Sequence, residues 1–252
     1  MTKRRTLIFI VYAPVLVGND GRTLAAVRGI ERALSGVSLE WEVSEEGRLI
    51  ALPQRDGWLA EATARGEFPL LCNGDESYPV TVWGSGRPAR LSAGGQAQFE
   101  VHAKLPLDAV GIAAAAEMLE GVAEGARAFW GRVLPDGVAS EMAKQIRHSM
   151  DQPHVPPRGL PALNLPQHIP SPAIPHHLGW LNYWSAAAAQ AIGFPDPVRD
   201  EDLLSRTRRT ATGGWVVRLT ETPLELDNPA HLTALLRAYE RFPEIGGRVT
   251  PG

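Results

Sequence analysis

The chain has 252 residues, 44% hydrophobic and 21% charged, with a formal net charge of -3 and a pI near 6.2. This length and apolar content support one large core or two small ones and exclude bulk disorder. The slight acidity argues against a dedicated nucleic-acid binder, which carries a basic face. A lone cysteine, Cys72, excludes an internal disulfide and fits a reducing cytoplasm.

The opening "MTKRRTLIFIVYAPVLVG" has a basic start and an apolar run, as a signal peptide does. Pro14 interrupts the run and no small-x-small cleavage pattern follows closely, so "TLIFIVYA" reads as a first buried strand. No segment approaches the roughly 20 apolar residues of a membrane span, and no membrane partner is expected. "TLAAVRGIERALSG" sets Leu24, Val27, Ile30 and Leu34 at helical spacing, with Gly36 as a stop. "LEWEVS" alternates Leu39, Trp41 and Val43 with polar residues, and "LIAL" returns after "EEGR" as a hairpin. "RDGWLAEATARG" is a short helix and "PLLC" a short strand before the turn "NGDE".

"YPVTVWG" and "AQFEVHAKL" are two further strands, and "GSGR" between them reads as a turn. Residues 108–130 carry the longest helical signal. Asp108 is placed to cap it, and Ile112, Met118, Leu119, Val122, Ala126 and Phe129 form its apolar stripe. A weaker helix, "GVASEMAKQIRHSM", follows Pro135. Residues 149–178 hold eight of the 21 prolines and four of the seven histidines, which denies the segment both a helix and a sheet ladder. It reads as an extended connector on the surface or between halves. After "GWLNYWSAAAAQAIG", the stretch "GGWVVRLTE" is a strand whose opening glycines form a turn. "LDNPAHLTALLRAYERF" is a helix capped by Asp227 or Asn228, with Leu232, Leu235, Leu236 and Tyr239 on one face.

These elements imply an α+β fold: a mixed or antiparallel sheet with amphipathic helices packed on it. The organisation is an N-terminal part over 1–148, the connector over 149–178 and a C-terminal part over 179–252, together one compact unit. A strand, a proline, an acidic turn and a helix recur at 99–122 and at 215–239. Either two similar halves or shared turn chemistry explains the echo.

The candidate chemistry is sparse. His154, His168, His176 and His177 are spaced by 14, 8 and 1, unlike a closed zinc site, so no metal is expected. Ser85 and Ser185 lack the Gly-x-Ser-x-Gly elbow. Cys72 ends a strand and would be a nucleophile only with a histidine beside it, His102 being available in principle. No phosphate loop is complete, so no cofactor is expected. The acids of "NGDES" and "PDPVRDED" could coordinate a cation or act on a sugar, but nothing fixes their geometry, and they read as solvated loop carboxylates and helix caps or as partner contacts. Trp180, Tyr183 and Trp184 supply either core or interface area.

"HHLGWLNYWS" followed by "ATGGWVVRLTETPLELDNPAHLTALLRAYERF" resembles the immunity protein 52 family of bacterial polymorphic-toxin systems. The matching elements are Gly179, Trp180, Leu181 and Tyr183, the strand opened by Gly213 and Gly214, and the acidic turn before the last helix. The resemblance covers the last third of the chain. It implies an α+β protein that binds and neutralises a toxin made by the same cell, the linked toxins being similar to nucleases of the restriction-endonuclease fold. The expectation is therefore a cytoplasmic binding protein, not an enzyme, whose partner is a cognate toxin protein and not nucleic acid. Asp75, Glu76, Trp180, Tyr183, Trp184, Asp196, Asp200, Glu201 and Asp202 are its candidate contacts. The competing readings are an enzyme whose site is assembled around Cys72 or His102, and a scaffold that docks its proline-rich tract.

Overall fold

Ten strands share one sheet, and every neighbouring pair is antiparallel. The computed structural model describes residues 5–18, 20–147 and 155–249. The N-terminal strand β1 (Thr6–Pro14) lies inside the sheet, between β6 (Gln98–Pro106) and β7 (Trp130–Pro135). On the β6 side follow β5 (Thr81–Arg87), β4 (Phe68–Cys72), β2 (Trp41–Val43) and the edge strand β3 (Leu49–Ala51). On the β7 side follow β8 (Leu181–Trp184), β10 (Trp215–Arg218) and the edge strand β9 (Thr207–Arg209). This is the expected α+β architecture, with an antiparallel sheet.

Alternation along β1 divides the two faces. Leu7, Phe9, Val11 and Ala13 are fully buried beneath the helices α1 (Arg22–Ala33) and α3 (Ala109–Ala126), with α2 (Arg55–Ala64) beside α1. Asp108 caps α3, its carboxylate accepting from Gly111 N at 2.8 Å. The helices α1 and α3 cross almost backbone to backbone. A Cβ on Gly29 would lie 2.4 Å from the Gly121 carbonyl carbon, and one on Gly125 would lie 2.6 Å from that of Ala25. Glycine is required at this crossing for lack of space.

The other face is covered by different material. The helix α7 (Pro229–Arg241), capped by Asn228, sets Tyr239 and the following Phe242 against it, and α5 (Ala186–Ala191), capped by Ser185, leads to Phe194. The helix α4 (Asp136–Met142) follows β7, and α6 (Glu201–Leu204) precedes β9. Since α3 and α7 lie on opposite faces, the sequence echo reflects shared helix-start chemistry, a polar cap after a proline-containing turn, and not a repeated layout.

Three features depart from the sequence reading. First, the described part of the expected connector, residues 155–178, is a packed strap and does not lie loose on the surface; residues 149–154 lie outside the described residues. Leu160, Leu163, Ile169, Ile174 and Leu178 are buried. The backbone groups left by the prolines bond outward, Leu163 N to Gln145 O at 2.8 Å, Asn164 N to Gly246 O at 2.9 Å and Gly94 N to Ile169 O at 2.8 Å. Second, "GSGR" continues β5 and is not a turn: Gly84 lies beneath Phe99, whose ring would meet a Cβ at 2.3 Å. Third, the long helix stops at Ala126, Arg127 turns left-handed at φ 52°, and the next residues form the interior strand β7. Phe129 therefore belongs to the turn and not to the helix stripe.

Candidate functional site

Antiparallel register lays out the strap-side face in rows. One row runs Ser85, Glu100, Tyr12, Trp130, Trp184 and Trp215 across β5, β6, β1, β7, β8 and β10. The next runs Trp83, His102, Ile10, Arg132, Asn182 and Val217. The strap and α7 cover both rows from β1 onward and leave the β5 and β6 end partly accessible.

On the accessible half, the His102 ring stacks on Trp83 at 5.1 Å with 10° between planes, and Lys104 Nζ lies 5.3 Å from the Trp83 ring. Glu100 accepts from Arg87 at 2.7 Å and pairs with His102 Nε2 at 3.2 Å. Burial would raise the Glu100 pKa, but the His102 bond and the Arg87 charge outweigh it and hold the carboxyl below its ordinary value. The result is a half-buried strip of one aromatic ring flanked by fixed charges.

On the covered half, Tyr12 stacks on Trp130 at 4.0 Å, and the His176 ring packs against both, at 4.9 and 4.7 Å. Burial, with the Glu100 charge, pushes the Tyr12 phenol up to about 12. His176 and His177 are buried. Desolvation, then the Arg87 and Arg132 charges, lower His176 to about 3. Desolvation, Arg132 and His176 take His177 well below its ordinary value. Both rings are thus neutral at pH 7.

The residues singled out from sequence fall in different places. Trp180, Tyr183 and Trp184 are 1%, 3% and 0% exposed, so as folded they build the core and offer no surface to a partner. Trp180 Nε1 donates to Thr220 O at 2.9 Å, and Tyr183 Oη donates to Glu124 at 3.0 Å. Asp200 is also buried, in a bidentate pair with Arg241 at 2.7 and 2.9 Å. Asp75, Glu76, Glu201 and Asp202 are exposed, and Asp196 is half-buried. Asp75 borders a shallow groove of about 770 Å³ between the end of α1 and the start of α3. The loops of Asp75–Glu76 and Asp196–Asp202 do not meet. Six strands separate β4 from β9, roughly 30 Å at the usual strand spacing.

Cys72 is buried opposite Thr81, while His102 stands opposite Trp83, two strands and one pleat repeat away and engaged by Glu100. No nucleophile–base pair forms there. His154 lies outside the described residues, His168 is exposed, and among the described residues no three His, Cys, Asp or Glu are grouped to hold a metal. No helix among them is long and apolar enough to cross a membrane. The sequence reading missed Trp83, Glu100 and Arg132 as site residues. The alternation Gln98, Glu100, His102, Lys104 along "QFEVHAKL" was its available signal, whereas Arg132 sits in the strand that was not foreseen.

Fold and site together define a single-sheet α+β protein with α1, α2 and α3 on one face and, on the other, α5, α7 and the strap beside a half-open polar and aromatic surface. The chain belongs to the DUF5953 family, a domain of unknown function, which matches residues 18–250. A solved structure described as "Pseudomonas aeruginosa T6SS protein PA0821" is similar over 96% of this chain and 73% of that one, with a TM-score of 0.57 and 14% identity. At that identity the likeness shows the fold. No curated protein matches.

Proposed function

We propose that this chain is an immunity-type binding protein that captures a toxin protein of a bacterial secretion system and holds it inactive. The observation that carries the reading is the open half of the sheet face, where Trp83 is half-buried between His102 and Lys104. An aromatic ring held rigid by its neighbours, at the centre of a polar rim, is the composition of an interface hot spot. The likeness in fold to a protein whose title names the type VI secretion system supports the setting, and the resemblance to immunity protein 52 supports the role. The exposed acids Asp75, Glu76, Glu201 and Asp202 supply a complementary field for a basic toxin surface, which accelerates association more than it tightens the complex.

The test is co-expression with the toxin encoded beside the gene. Cells carrying the wild-type chain should survive and the two proteins should co-purify. Trp83→Ala combined with Glu76→Lys should abolish the complex without altering the unfolding midpoint by more than a degree or two. Survival without any complex would refute stoichiometric capture, and an unimpaired double variant would move the interface elsewhere.

A further inference from the structure

The covered half of the face holds a surplus of hydrogen-bond donors. Arg132 is 7% exposed, it forms no ion pair among the described residues, and its Nε and Nη1 are buried without partners. His176 Nε2, both ring nitrogens of His177 and Trp130 Nε1 are likewise buried and unpartnered. These groups are neighbours. The His176 ring packs on Trp130, Trp130 precedes Arg132 by one pleat repeat on the same face, and the charge of Arg132 acts on both histidines.

The nearby carboxylate and most of the nearby amides are already engaged; Gln98 Oε1 is buried and unpartnered on the same face, but it carries no charge and its own Nε2 also lacks a partner. Glu100 is taken by Arg87 and His102, Asn182 Oδ1 by Gly179 N at 2.8 Å, and Gln145 Oε1 by Tyr239 Oη at 3.2 Å. The unpartnered carboxylate oxygen of Glu244 belongs to a residue whose charge acts on Arg248. A buried guanidinium without a counter-charge is strongly unfavourable, and its planar fork matches two oxygens of one oxyanion. Each neutral imidazole has one N–H to give, and the indole nitrogen only donates.

We infer that Arg132, His176, His177 and Trp130 form a binding site for a small oxyanion of the phosphate or sulfate class, enclosed between the sheet and the end of the strap. The guanidinium supplies the charge and a two-pronged contact, and the imidazole and indole N–H groups close around the remaining oxygens. Because these atoms are sealed from solvent, the anion enters as the strap closes during folding or when its end lifts, so exchange is slow. The inference is independent of toxin capture.

The experiment refolds the full chain in chloride buffer free of oxyanions and then titrates inorganic phosphate, with sulfate in parallel and ionic strength held constant. For wild type, the unfolding constant should fall in proportion to 1/(1 + [phosphate]/Kd), about 100-fold at phosphate 100 times its Kd, and a slowly exchanging bound ³¹P resonance should appear that sulfate displaces. Arg132→Met should lose both effects. If that variant does not fold, His177→Phe provides the comparison and should weaken binding at least tenfold. No bound resonance and no stabilisation in wild type would overturn the site. So would equal stabilisation of wild type and variant, which is the general salting effect of these ions.

Discussion

Acid should destabilise this protein through His176 before it reaches the carboxylates. The folded-state pKa is about 3 against an ordinary 6.5. Between those values the unfolded chain binds a proton that the native chain refuses, so stability present above pH 6.5 is lost as pH falls towards 3. At pH 4.5 the gap to the unfolded value is two units, which amounts to about 2.7 kcal/mol. No allowance for solvent screening applies, because the ring is 2% exposed. His177 acts in the same direction. The perturbation is His176→Phe, which keeps an aromatic ring on Tyr12 and Trp130 and removes the titration. Urea unfolding of both proteins at pH 7.0 and 4.5, in chloride buffers free of phosphate and sulfate, isolates the effect. Wild type should lose about 2.7 kcal/mol more than the variant over this interval. The lowered carboxylates, such as Asp20 beside Arg22 and Asp56 beside Arg55, contribute equally to both proteins. Parallel pH dependences would show that the native ring protonates freely and would refute the account of a desolvated histidine.

Five further outcomes are expected. Gly29→Ala should cost about 3 kcal/mol by chemical denaturation, because the new methyl meets the Gly121 backbone; Gly57→Ala, in α2 with nothing within 4 Å, should instead gain about 0.5–1 kcal/mol. Arg241→Met, which strands buried Asp200, should cost about 3 kcal/mol, and a loss below about 1 kcal/mol would show the pair to be solvated. Asp108→Ala should cost about 1 kcal/mol through the lost cap, with near-native circular dichroism at 25 °C. Trp83→Ala should leave the midpoint of thermal unfolding nearly unchanged, since the ring is only half-buried and packs on His102; a large drop would place it in the core.

The strands and helices with strong periodicity were legible: α1, α3 and α7, the last two with their caps, and β1, β5, β6 and β10. What escaped were elements governed by partners distant in sequence. "WGRVLP" has no alternation because β7 is buried on both faces, so nothing local distinguishes it from the tail of α3. "GSGR" contains two glycines and looks like a turn until Phe99 is placed over Gly84. The prolines of 155–178 correctly excluded regular structure, but nothing in their spacing said that Leu163, Ile169 and Leu178 would be drawn onto the sheet. The candidate site escaped for the same reason. Its members come from β5, β6, β1, β7 and the strap, and only register brings Trp83, His102 and Arg132 into one row.

The interior position of β1 also sets the order of assembly on the ribosome. This strand is synthesised before both of its neighbours and must wait for them: Pro14 pairs with Gln98, and Leu7 with Pro135. At 5–20 residues per second, synthesis of the second neighbour comes on the order of ten seconds later. During that interval Leu7, Phe9 and Val11 have no sheet to join, and such long-range pairing folds slowly. The nascent chain is then exposed to aggregation, and a chaperone that holds apolar segments would find β1 a natural client.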